Sequence, residues 1–127
     1  MFHIAMPGDS HPTRSLLDEL IAAKGRGVTV RVLMDADRPS DPYLSTVINA
    51  NAKEYLSAAG ISLRLDPVGT LLHSKFIVID QTRAIIGSHN WSAGSYFQFD
   101  DLSVVISSQS LATTQLDRFE VLWAAGN

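Results

Sequence analysis

The sequence predicts an α/β domain: one mixed β-sheet with helices on both of its faces. Two observations carry this. Short apolar or alternating runs that suit strands are interleaved with stretches of helical spacing, and the connections between them are short. The chain has 127 residues, 46% of them hydrophobic, enough for one core and too few for two. Residues 1–127 therefore read as one domain without repeats or linkers. Because the first apolar run starts at once, the domain is expected to be minimal or trimmed ahead of its first strand.

Residues 2–6, closed by Pro7-Gly8, read as a strand. Ser10 is placed to cap a helix with Pro12 in its first turn, where a missing N–H costs nothing. Leu16, Leu17, Leu20 and Ile21 follow at helical spacing, and Lys24-Gly25-Arg26-Gly27 is a cationic last turn with a glycine stop. Those glycines follow a helix instead of preceding one, which argues against a phosphate-cradling loop. Residues 28–34 alternate as a mostly buried strand, and a polar loop then leads to Asp41-Pro42, an N-cap carboxylate followed by proline. The helix expected from there carries Leu44, Val47, Ile48, Tyr55 and Leu56 and stops at Gly60. Strands are expected at 61–65, 71–79, 83–86 and 101–106, the second and third joined through Asp80-Gln81-Thr82. A final helix spans 111–123, with Leu116, Phe119, Val121, Leu122 and Trp123 inward.

Composition removes several classes of function. Without cysteine there is no disulfide scaffold, thiolate zinc site or cysteine nucleophile. No apolar run approaches the ~18–20 residues that span a bilayer. The opening residues also lack the pattern of a signal peptide, so a cytoplasmic protein is the expectation. Ten Lys and Arg against thirteen Asp and Glu leave a net charge of −3, without the basic excess of a sequence-independent nucleic-acid binder.

The chemistry concentrates in Leu72-His73-Ser74-Lys75-Phe76-Ile77-Val78-Ile79-Asp80. On a strand, residues of equal parity share a face, so His73 and Lys75 should project side by side. Asp80 has the other parity and lies about 20 Å further along, so it belongs to the turn rather than the centre. A lysine can neutralise a phosphoryl group while an imidazole attacks phosphorus or moves a proton. The ammonium would also repel a metal cation, so no metal is expected. A strand-edge histidine and a snorkelling lysine are unremarkable by themselves. The hairpin, however, returns Gly87-Ser88-His89-Asn90-Trp91-Ser92 towards them, adding the Ser88 hydroxyl and the Asn90 amide. Asp101 then opens the next strand, where it could bond one imidazole nitrogen and fix the tautomer.

His73-x-Lys75-x4-Asp80 followed by Gly87-Ser88-x-Asn90 and a downstream acid resembles the signature of the phospholipase D superfamily, and the likeness extends from about Phe2 to Trp123. The resemblance implies the superfamily's α-β-α sandwich and phosphodiester chemistry without cofactor or obligatory metal, through a phosphohistidine. His73 would be the nucleophile and, from a second copy, the general acid. Lys75 and Asn90 would hold phosphoryl oxygens with Ser88 assisting, Asp101 would orient the histidine, and Asp80 and Gly87 would be structural. The chain departs from the pattern in having Asp where the acid is usually Glu, a second aspartate, Asp100, beside it, and Phe99 where a polar residue is common.

The superfamily mechanism uses two histidines and this chain holds one copy of the motif. The resemblance therefore implies a homodimer with His73 from both chains in one site. His89, Trp91 and Arg38 are candidate substrate contacts, each also readable as a variable, packing or surface residue. Trp91, Tyr96, Phe97 and Phe99 could stack bases, meet acyl chains or pack an interface. The leading expectation is a nuclease-like hydrolase cutting DNA or RNA. The alternatives are a phospholipid hydrolase or phosphatidyltransferase, for which no amphipathic anchor is visible, and a weakly active dimerisation or nucleic-acid-docking domain of a larger protein.

Overall fold

A computed structural model describes residues 1–38, 40–67, 69 and 71–127. In chain order the elements are α1 (Pro12–Gly25), β1 (Arg31–Met34), α2 (Ser45–Ala58), β2 (Ser62–Leu65), β3 (Phe76–Ile79), β4 (Arg83–Gly87), α3 (Ala93–Phe97), β5 (Ser103–Ser107) and α4 (Gln109–Ala125). The α/β class expected from the sequence is the class observed.

The strands form two sheets. β1 and β2 pair in parallel with Arg31 opposite Ser62, and β3-β4-β5 is an antiparallel sheet with Phe76 opposite Ile86 and Ile85 opposite Val105. Residues 2–6, expected as a strand, make a single parallel bridge, Ile4 to Trp91. This segment nevertheless joins the sheets. Asp35 N donates to Met1 O (3.1 Å) on one side, while Trp91 N donates to His3 O (3.0 Å) and Ala5 N to Trp91 O (2.7 Å) on the other.

The alternation in β1 places helices on both faces. Val32 and Met34 enter the core with Ile4, Leu17 of α1, and Ala52 and Leu56 of α2. Arg31 and Leu33 face α4, where the Arg31 guanidinium pairs with Glu120 and lies 4.9 Å from the Phe119 ring centre. Val121, expected inward, is exposed because the half-buried stripe of α4 runs through Phe119, Leu122 and Trp123.

Two helix starts differ from expectation. His11, not Ser10, is the N-cap of α1, its ring Nδ1 accepting from Thr13 N at 3.3 Å. α2 begins at Ser45 rather than Asp41. Asp41 instead takes the Tyr43 amide (3.0 Å) and pairs with Arg38, closing a local turn. The α2 start is held from upstream by Asp37, whose carboxylate accepts from Ser45 N (2.6 Å) and Thr46 N (3.0 Å). Leu44 enters the helix at φ 55°, a left-handed conformation uncommon for a branched side chain.

Candidate active site

β3 begins three residues after His73, so the strand expected over 71–79 is cut short at its start. The reason is local. His73 N bonds back to Leu71 O (2.9 Å), and Leu72 N is taken by the side chain of Asp35 (2.8 Å) instead of a neighbouring strand. Pairing resumes at Lys75, whose carbonyl accepts from Gly87 N at 3.2 Å. His73 and Lys75 still face one cavity, as strand parity predicts.

That cavity is an open pocket of about 420 Å3 lined by His73, Lys75, Gly87, Ser88, Asn90, Ser95, Phe99 and Asp101. His73 is exposed and Lys75 is 9% exposed, its Nζ donating to His73 O (2.7 Å) and sitting 4.9 Å from the Phe2 ring centre. The Phe2 ring is also 4.8 Å from that of His73, so one buried aromatic underlies both side chains. Among the described residues no carboxylate lies within ion-pair distance of Lys75. Burial holds the Lys75 ammonium below its usual value, opposed by the charges of Asp101 and Asp35. Burial and then the Lys75 charge lower the His73 imidazole, with Asp35 pulling the other way.

The far wall follows from the hairpin. Asp80 (φ 50°) and Gln81 (φ 55°) are both left-handed at the centre of the tight turn, and Thr82 N closes it onto Ile79 O at 3.1 Å. Asp80 thus serves the turn through its backbone, and its carboxylate accepts no hydrogen bond among the described residues. At Gly87 a Cβ would lie 2.5 Å from Ser103 Cα, so only glycine lets β4 approach β5 here. That approach lets Ser88 N reach Leu102 O at 2.9 Å.

Beyond it, Ser88 Oγ accepts from Leu102 N (3.1 Å) and donates to Asp101 Oδ1 (2.6 Å). Asn90 Oδ1 accepts a long bond from His3 N (3.4 Å), leaving its NH2 as the available donor. The expectation that Asp101 holds the imidazole is not met within one chain. Its carboxylate is engaged by Ser88, which together with Ser95 keeps it below the usual carboxylate range. The Ser88 proton is correspondingly committed to Asp101. Asp100, the alternative acid, is exposed and does not line the pocket.

The three candidate substrate contacts lie elsewhere. His89 Nδ1 bonds Ser103 Oγ (2.8 Å) beside β5, Trp91 packs against the core at Ile4, and Arg38 pairs with Asp41. Sequence reasoning missed Ser95, which is nearly buried and accepts from Asn90 N at 3.0 Å. It sits on α3, whose five residues are too few for a periodic signal. Gly94 on the same helix has the Phe99 ring packed against it, which turns Phe99 into the pocket.

Comparison with known proteins identifies the family. Residues 1–123 match the family described as cardiolipin synthase, PLD-like domain. The chain belongs to the phospholipase D superfamily. Among members of the superfamily, it is 30% identical over 100 residues to a phospholipase D of Rickettsia conorii, covering 79% of this chain and 46% of that one. It is 32% identical over 116 residues to the virion nicking-joining enzyme of vaccinia virus, covering 87% and 25%. Its fold superposes on the phospholipase D family member Nuc of Salmonella typhimurium with a TM-score of 0.81 and 25% identity, over 99% of this chain and 76% of Nuc. The chain thus spans less than half the length of the two relatives matched by sequence. Among the described residues no helix is long and apolar enough to cross a membrane.

Proposed function

We propose that this chain is a metal-independent phosphodiesterase that works through a phosphohistidine on His73, as a homodimer, with nucleic acid as its substrate. The observation that carries the reading is Lys75: a nearly buried cation without a carboxylate partner among the described residues, on the wall of a pocket that also holds His73 and Asn90. Burying a charge is costly unless something pairs with it, and a phosphodiester supplies the missing anion.

In this mechanism a neutral His73 nitrogen attacks phosphorus and the P–O bond to the leaving alcohol breaks. That alcohol takes a proton from His73 of the partner subunit. Water then attacks the phosphohistidine, giving its proton to the imidazole that had acted as acid, and the P–N bond breaks to restore His73. Lys75 and the Asn90 NH2 hold the non-bridging oxygens as charge develops on them. Asp101 stands behind Ser88 and helps to shape that wall. The nuclease assignment draws on the Nuc likeness and the nicking-joining relative.

Phospholipid is the second reading, favoured by Phe99, which lines the pocket and is well exposed, with the exposed Phe97 and Leu102 close to it in the chain. The deciding experiment assays wild type and His73→Ala in EDTA on single- and double-stranded nucleic acid and on phospholipid vesicles. Nucleic-acid cleavage that the substitution abolishes is the expected result. Turnover of lipid alone transfers the assignment to the second reading, and a fully active His73→Ala removes the histidine from the mechanism.

A further inference from the structure

Asp35 stands just beyond the C-terminal end of β1 and is fully buried. Its main chain is satisfied: N donates to Met1 O (3.1 Å), and the carbonyl accepts from Nδ2 of the buried Asn49 (3.2 Å). Its side chain is only half used. Oδ1 accepts from Leu72 N at 2.8 Å, one residue before His73, while Oδ2 is buried without a hydrogen-bond partner among the described residues. Holding the Leu72 amide needs only a neutral acceptor, so a fully buried acidic side chain with an open oxygen calls for a further reason.

We propose that Asp35 is a positioning residue for the active site: its buried carboxylate anchors the segment that carries His73 and supplies the negative charge that offsets Lys75 at the imidazole. The inference rests on the reading of His73 as both nucleophile and acid. In a two-fold site the same residue must be neutral in one copy and protonated in the other. An imidazole that is partly desolvated and beside an ammonium leans towards the neutral form, and Asp35 acts against that lean.

The charged surroundings are consistent with this assignment. Lys75, leading into β3, and His3 on the first segment both feel Asp35 as a favourable charge. The buried Met1 amino group also feels Asp35 as a favourable charge, and Asp66, just after β2, feels it as an unfavourable one, with that amino group and Arg38 opposing. Asp37 acts on His3 and Asp101 on Lys75, but of these carboxylates only Asp35 bears on His73.

The test follows the His73 ring by NMR across pH in wild type, Asp35→Asn, Asp35→Ser and Asp66→Asn, with its signal identified by its loss in His73→Gln. Both replacements at Asp35 retain an acceptor for Leu72 N, and the serine variant covers the case in which the amide fails to fold. The expected result is a His73 midpoint moved to lower pH in either Asp35 variant and unmoved in Asp66→Asn. The optimum for turnover moves towards acid with it, so that activity lost at neutral pH returns on acidification. An unmoved midpoint in a folded Asp35 variant overturns the inference, even where nuclease activity depends on His73. A fully active His73→Ala defeats the functional reading instead, and the titration still decides what Asp35 does to the imidazole.

Discussion

Lys75 shows how much of this site is decided by a single side chain. Its aliphatic stem and ammonium are covered, with the His73 carbonyl and the Phe2 ring as near neighbours. Lys75→Met keeps the length and removes the charge. Turnover should fall by roughly 10²-fold or more, the scale of losing one preorganised donor to a developing anion. Thermal stability should hold or rise, since a buried cation is gone; a large drop in the melting temperature would mean that Lys75 is structural. His3 and His73 give a second consequence. Burial lowers both imidazoles from 6.5, so the unfolded chain binds protons there more readily than the folded one. Their contribution to stability is present above about 6.5 and is lost as pH falls towards the folded-state values. Melting temperature measured from pH 8 downwards should therefore decline through that window, and His3→Gln should flatten the decline.

Among the elements, the β3-β4 hairpin and the glycine that ends it were the most legible. His73, Lys75, Ser88 and Asn90 were readable because a tight turn must fold the second motif back beside the first, and all four line one pocket. What sequence spacing could not convey were bonds made by side chains from far along the chain. Asp35 intercepts the Leu72 amide and shortens β3, Asp37 holds the start of α2, and an imidazole replaces a hydroxyl at the start of α1. Asp101 was found but its partner was not, since the Ser88 hydroxyl reaches it first. Gly87 provides the element-scale test. Gly87→Ala forces a methyl into β5 and should cost about 1–3 kcal/mol in denaturant unfolding, with turnover falling as the Ser88–Asn90 wall is pushed outward. Gly25→Ala is the matched comparison, because a Cβ there meets nothing within 4 Å. It should be neutral or slightly stabilising.

For the whole molecule, one chain carries one His73 and the proposed chemistry needs two. Mixing wild type with an equal amount of His73→Ala, with time to exchange, should cut the activity per wild-type chain to roughly half, since random pairing leaves only that share of wild-type chains with a competent partner. Activity that ignores the added variant would mean that each chain works alone. Sedimentation across the assay concentrations should find a dimer wherever turnover is seen. The strip formed by residues 1–5 has a consequence of a different kind. It is stitched to β1 and Asp35 along one margin and to Trp91 along the other, so it closes a seam between partners some thirty and some ninety positions away in the chain. Phe2, the ring beneath His73 and Lys75, belongs to that strip. During synthesis these residues leave the ribosome ahead of β1, yet their second margin does not exist until Trp91 has followed. Some ninety residues of the domain must be made before the floor of the pocket can be laid, and the pocket is among the last places to take shape.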